Sequence, residues 1–348
     1  MRLITYNLWH GLSPSTSVAF EALEPVARRE LRENLQINVL RELKPDICFF
    51  QEMNPAPERA PLVADALGME FAIQPDLVGL KLFGVGLPLN LNSGLVIMTA
   101  KEWGLRKVAG VSLDRPGTNL VHSWGSWQLK EERFALFCET MLPGWGRVLM
   151  IDTHLHHGLE STPELLANLE KLAGELNFSD NVILELKDRL AKGNQRRALE
   201  IANLLQTLED VQDRYEVVIL AGDFNASPES ELGQTLRKLG FRDSWFEAKG
   251  DAPGHSFDRE ANKANHILQD RFPLSLVVED LTFSSKGKES LLAMARKQET
   301  RPRRIDYIWV RSRTVKIDVK DARLVGLPNS EGLAPSDHFG VCVDLEVQ

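Results

Sequence analysis

Asp223 and Asn225 close the run Val217-Val218-Ile219-Leu220-Ala221-Gly222-Asp223-Phe224-Asn225, just ahead of Ala226-Ser227-Pro228. Four aliphatic residues read as a buried strand, Gly222 releases the backbone, and Pro228 stops it. A carboxylate and a carboxamide two positions apart on an extended chain point to the same side and can reach one reacting group. A strand ending in an Asx turn would satisfy the same two residues. The pattern recurs along the chain. Leu3-Ile4-Thr5-Tyr6 leads into Asn7, Ile47-Cys48-Phe49-Phe50-Gln51 into Glu52, and Val148-Leu149-Met150-Ile151 into Asp152, Thr153 and His154. Asp306 lies inside the strand-like run 304–310, and Ser336-Asp337-His338 opens the run 339–345. Open α/β sheets collect polar residues of this kind in a crevice at the carboxyl ends of their strands.

The elements that must position these residues alternate between strand and helix, which predicts an α/β fold. In order and type, Thr5-Tyr6-Asn7, Gln51-Glu52, Asp152-Thr153-His154-Leu155, Gly222-Asp223-Phe224-Asn225, Arg304-Ile305-Asp306-Tyr307-Ile308 and Ser336-Asp337-His338 resemble the endonuclease/exonuclease/phosphatase superfamily. That is the fold of DNase I, abasic-site endonucleases, inositol-polyphosphate phosphatases and neutral sphingomyelinases. The resemblance implies a four-layer α/β/β/α sandwich of two packed mixed β-sheets. It runs from the first strand to the last, so all 348 residues are expected to form one domain. Segments 159–193 and 266–300 depart from the family pattern and read as insertions.

Hydrolysing a phosphate ester requires neutralised phosphoryl oxygens, an activated water and help for the leaving oxygen. Glu52 suits a hard cation such as Mg²⁺, with Asn7 beside it, and Asp337 would complete the site or support a second ion. Mn²⁺ could stand in for Mg²⁺. The resemblance gives Asp223 the role of aligning or deprotonating water, and Asn225 that of hydrogen-bonding the phosphate or nucleophile. His338 would carry a proton or stabilise charge, oriented by Asp306, while His154 faces the phosphate from the other side. Arg304 joins Asn225 and His154 as a substrate-binding candidate. Taken singly, each residue also has a structural reading: Asn7 as a turn former, Asp306 as a strand polar paired with an Arg, His338 as a core histidine. The cluster His154, His156 and His157 opens a zinc alternative, since neutral imidazole suits Zn²⁺ rather than Mg²⁺.

A net charge of −8 argues against non-specific grip on nucleic acid, which depends on neutralised phosphates. Arg196, Arg197, Arg301, Arg303 and Arg304 could still form a local basic patch, or simply be solvated element ends. The segment 255–265 is similar to sphingomyelinase-like and related bacterial branches of the superfamily. The substrate expectation is therefore a lipid-like or small phosphodiester, with a DNA or RNA nuclease as the alternative and a phosphomonoesterase behind it.

Residues 18–44 read as a helix, as do 58–67, 161–192 (with a start signal at Ser161-Thr162-Pro163-Glu164) and 195–212. Residues 119–154 read as three strands. The apolar stretch 77–92 is too interrupted to span a bilayer. It reads as a hairpin packed on its own domain, or as a loop in transient contact with a lipid surface. Cys48, Cys138 and Cys342 sit in apolar runs as small buried hydrophobes. With no secretory leader in the sequence read here, the expected location is cytoplasmic.

Overall fold

The computed structural model describes residues 1–14, 19–83, 85–114, 120–122, 125–128, 132–266 and 285–348. Two six-stranded sheets dominate it. One runs in the order Ile317–Val325, Gly340–Val347, Arg2–Asn7, Ile47–Met53, Ser93–Ala100, Met69–Leu77. The other runs Arg242–Asp243, Asp306–Ser312, Val217–Asp223, Gly146–His154, Phe134–Leu142, Arg106–Ser112. Both follow one plan, with a single parallel pair at the centre and antiparallel neighbours on either side.

Alternate residues of each strand serve different layers. Leu3, Ile47, Phe49 and Ile97 of one sheet share a buried cluster with Leu136, Val148, Met150 and Ile219 of the other. Their neighbours Ile4, Cys48, Phe50 and Met98 pack outward with Leu40, Ala60 and Val63 from helices Val26–Leu43 and Ala56–Leu67. Leu149, Ile151, Val218 and Leu220 meet Ile201, Leu204 and Leu208 of helix Asp180–Val211. Strands buried on both faces read as continuous apolar runs, and the result is the expected α/β/β/α sandwich.

This plan gathers the polar ends. Parallel strands finish on one side, and their antiparallel neighbours begin there. Asn7, Glu52, His154 and Asp223 therefore stand at or beside strand ends, while Asp306 starts its strand and His338 precedes Gly340–Val347. In register, His154 is opposite Asp223, and Asp223 is opposite Asp306. Beneath them the two sheets are joined by Gln51, whose amide donates to Asp152 at 2.6 Å with both side chains fully buried.

Several local expectations are corrected. The helix expected over 18–44 spans only Val26–Leu43, because Phe20–Ala22 pairs as a strand with Leu12–Pro14. Its buried face is Arg32, Gln36 and Leu40, while Val26 and Leu31 are exposed. Arg32 and Gln36 both donate to the Leu8 and Pro335 carbonyls, so hydrogen bonding to two loops outweighs apolar periodicity there. The break expected near 193–194 does not occur, and one helix runs Asp180–Val211. Gly193 lies inside it because a Cβ there would come within 2.7 Å of the Leu159 carbonyl. The cap of helix Pro163–Glu175 is Thr162, accepting from the Leu165 N–H at 3.1 Å, rather than Ser161. Glu164 instead pairs with Arg301.

Among the described residues of 119–154 there are four strands rather than three, Leu120–His122, Gly125–Trp127, Phe134–Leu142 and Gly146–His154. Of the 266–300 segment, residues 267–284 lie outside the described residues, and Ser285–Thr300 is a helix. Its Leu291 packs with Leu165, Leu169, Leu186 and Leu190, so the two segments read as insertions share a small core of their own. Among the described residues, no helix is long and apolar enough to cross a membrane.

Candidate active site

Glu52 sits in a strand yet has φ of +56°, at a register shift between Phe50 and Met53. A non-glycine residue held there is strained, and a bulge of this kind re-aims a side chain. The Glu52 carboxylate accepts from Asn7 Nδ2 at 3.2 Å and from the His10 N–H at 3.2 Å, with His10 Nε2 at 3.5 Å. Burial alone would raise its pKa, but His10, His154 and the Asn7 amide bring it down to about 2.

Asn7 also donates to Asp223 Oδ2 at 3.1 Å, so one amide bridges the two carboxylates. Its own oxygen accepts from the Trp9 N–H at 3.0 Å. Gly222 places Asp223: at φ +138°, a Cβ there would lie 1.9 Å from the Thr153 carbonyl. Only glycine allows the two parallel strands to close so tightly at their ends. Asn225 is not in extended register with Asp223. It has φ of +50°, and its N–H bonds Asp223 Oδ1 at 2.9 Å, so the Asx turn exists and itself brings the pair together. The Asn225 amide donates to the Leu155 carbonyl at 3.0 Å.

Two histidines face Asp223. His338 Nε2 is 3.8 Å from Asp223 Oδ2, and His338 Nδ1 is 2.9 Å from Asp306 Oδ2. Burial would lower the pKa of His338, but Asp306 and Asp223 overcome it and raise it to about 10. Burial and Asp306 push Asp223 upward in turn. His154 Nε2 lies 3.5 Å from Asp223 and 3.9 Å from Glu52. Its Nδ1 meets Arg133 Nη1 at 3.1 Å. A guanidinium only donates, so that nitrogen must accept, and the ring proton falls on the nitrogen facing Asp223.

Arg133 also reaches His157 Nδ1 at 3.0 Å, and the His156 N–H bonds Glu200 at 2.7 Å. Arg133 thus occupies one ring nitrogen of both His154 and His157, which weighs against the zinc alternative. Among the described residues, Asp223, Asp306 and His338 bring ligand-type atoms within 4.8 Å of one another, with His338 itself paired to Asp306. Asp337 is buried beside His338, with its carboxylate 3.3 Å from the Ser336 hydroxyl. Arg304 is not directed at this cluster. It forms a buried ion pair with Asp243 at 2.8 Å and stacks on Tyr307. Arg196, Arg197 and Arg301 are likewise engaged, with Asp114 and Glu200, with the carbonyls of His156 and Gly158, and with Glu164.

The segment 255–265, expected only as a family resemblance, supplies residues that support the site. Ser256 accepts from the Ile305 and Asp306 N–H groups, both at 3.1 Å. Asn262 and Asn265 donate to the Ser336 carbonyl at 2.7 and 2.6 Å, and His266 bonds the Asp337 carbonyl. Phe257 presents its ring edge-on to both His266 and His338. The segment 255–265, read as a mark of kinship, is thus the brace of the His338 loop.

A sequence profile described as the Endonuclease/Exonuclease/phosphatase family matches residues 4–338. The chain belongs to this family. Solved structures of the same fold include TDP2 of D. rerio complexed with a single strand DNA product (17% identity, TM-score 0.57, covering 99% of this chain and 98% of that one). A mannosyl-6-phosphatase of Bacteroides thetaiotaomicron VPI-5482 is similar at 15% identity and TM-score 0.56, covering 99% of each chain. The human Nocturnin catalytic domain with bound sulfate follows at 16% and 0.52, covering 100% and 93%. No curated protein matches the chain. As a member of the endonuclease/exonuclease/phosphatase family, the protein is a phosphoester hydrolase of a class that generally uses divalent metals.

Proposed function

We propose that the protein is a divalent-metal-dependent phosphodiesterase that uses water to cut a lipid-like or small phosphodiester. One observation carries the reading: Asp223 is held by Asn7 at 3.1 Å between His154 and His338, with ionised Glu52 on the same amide. Glu52 supplies the hard oxygen donors that Mg²⁺ or Mn²⁺ takes, and we assign to the same ion Asp337 and, once its amide turns its oxygen toward Glu52, Asn7. Bound there, the cation would neutralise charge on the phosphoryl oxygens.

The chain's own groups do the rest. Asp223 accepts from the attacking water and orients it. His338, kept protonated by Asp306, donates to an oxygen that gains charge. His154 offers its Nε2 proton to the phosphate, and Asn225 keeps a second N–H beyond the one given to Leu155. Three free buried cysteines fit a cytoplasmic setting.

The test is a metal-supplemented panel of a chromogenic phosphodiester, a phosphomonoester, sphingomyelin vesicles and DNA, run with wild type and Asp223→Ala. Diester cleavage that needs Mg²⁺ or Mn²⁺ and falls about 10²–10³-fold in the variant is expected. Activity unchanged by that substitution would refute the reading. The likeness to a TDP2 structure holding a DNA product favours a nuclease as the second reading, which predicts DNA cleavage declining steeply with salt.

A further inference from the structure

The small sheet formed by Leu120–His122, Gly125–Trp127, Leu80–Leu82 and Val85–Leu87 is built inside out. Cross-strand partners share a face, and the register aligns Leu120, Trp127, Leu80 and Leu87 in one row, with His122, Gly125, Leu82 and Val85 in the next. The six large apolar side chains of these rows are all exposed, Trp127 at 60% and Val85 at 76%, with Phe83 at 78% beside them. The alternate positions, Lys81, Gly86 and Ser126, are half-buried, and Val121 packs against the inter-sheet core. A one-sided sheet in water normally turns its apolar set inward. This one turns it out.

Hydrogen bonds tie one flank of the sheet to the end of strand Met69–Leu77 and the other to Asn54, just past strand Ile47–Met53 that carries Glu52. Gln128 bonds the Asp76 carbonyl at 2.6 Å and the Val78 N–H at 2.7 Å, and the Asp76 carboxyl is within electrostatic reach of Glu52 and Arg133. On the other side, Asn54, two residues after Glu52, bonds the Asn90 carbonyl and the Asn92 N–H. The chain has 49 acidic residues, yet none falls within 77–93 or 120–128.

We infer that this face is a docking surface for a phospholipid bilayer, setting the active-site mouth against the headgroups that carry the substrate. The inference rests on the phosphodiesterase reading and names where its substrate would be met. The Trp127 indole N–H is the one polar group among the described side chains of the face, and the register adds His122 at its edge and no acidic residue. A protein partner would be expected to meet a polar rim, whereas acyl chains need no hydrogen bonds and Trp suits the headgroup boundary. With no carboxylate present, nothing on the face repels anionic lipid.

The test is co-sedimentation of the intact chain with vesicles of phosphatidylcholine alone and of an equimolar phosphatidylcholine–phosphatidylserine mixture. Hydrolysis of a soluble chromogenic phosphodiester is measured in parallel. Wild type is expected in the pellet. The variant Phe83→Ser/Val85→Ser/Trp127→Ser should partition about tenfold less or worse while keeping soluble hydrolysis. Phe83→Ser alone, at the hairpin tip, should lose part of the binding and guards against misfolding of the triple variant. Wild type left in the supernatant with both vesicles overturns the inference. So does a dimer in sedimentation velocity that the same substitutions abolish, since a second copy would then be the occupant. Vesicle binding without hydrolysis of any soluble ester would support docking while sinking the phosphodiesterase reading.

Discussion

The outer nitrogens of the two histidines facing Asp223 meet opposite charges, Asp306 for His338 and Arg133 for His154. The carboxylate stabilises an imidazolium, while the guanidinium requires a neutral acceptor. Asp306→Asn removes the charge that keeps His338 protonated, and diester hydrolysis should fall about 10²–10⁴-fold; a rate within twofold of wild type would remove Asp306 from the mechanism. The pKa of His338 is raised from the ordinary 6.5 to about 10. The stability this confers is present in full below the unfolded value and is lost as pH rises through the folded one. In denaturant titrations, the stability gap between wild type and His338→Gln should therefore be constant at acid pH and shrink between about 6.5 and 10. A gap that grows with pH would contradict the protonated state. The residues of this cluster were legible because oxygen donors and histidines recur at strand ends. Arg133 and His10 were not: Arg133 precedes the apolar run 134–138 as an ordinary strand entry would, and His10 lies in the loop past the first strand.

Among elements, the tightest constraint is at Gly222. Ala at this position would set its methyl against the Thr153 carbonyl in a backbone region that side chains avoid, which should cost about 1–3 kcal/mol or more, read as a lowered denaturation midpoint. An unchanged midpoint would mean that the two strands can spread. Ser256→Ala leaves two buried N–H groups without their acceptor and should cost about 1–3 kcal/mol, with activity falling further than stability alone explains because Asp306 loosens. The same scale shows why the buried face of Val26–Leu43 is not legible in its sequence. Periodicity locates an apolar face, but Arg32 and Gln36 are buried for the carbonyls of two loops, and hydrogen-bonding demand leaves no period in a sequence. The fold class survived such errors because it depends on strands buried on both faces.

For the molecule as a whole, charge and its pairing weigh against a nucleic-acid grip, since Arg196, Arg197, Arg301 and Arg304 are engaged within the protein. Hydrolysis of a soluble diester should accordingly change little with added NaCl, whereas a steep decline in turnover of an oligonucleotide would favour the nuclease. The site itself is divided between the halves of the sandwich. Asn7, Glu52 and His338 come from one sheet and its loops, while His154, Asp223 and Asp306 come from the other. Catalysis therefore doubles as a gauge of alignment: a slip of either half by an ångström would part the catalytic groups while every strand stayed paired, so turnover should fade at lower urea than circular dichroism does.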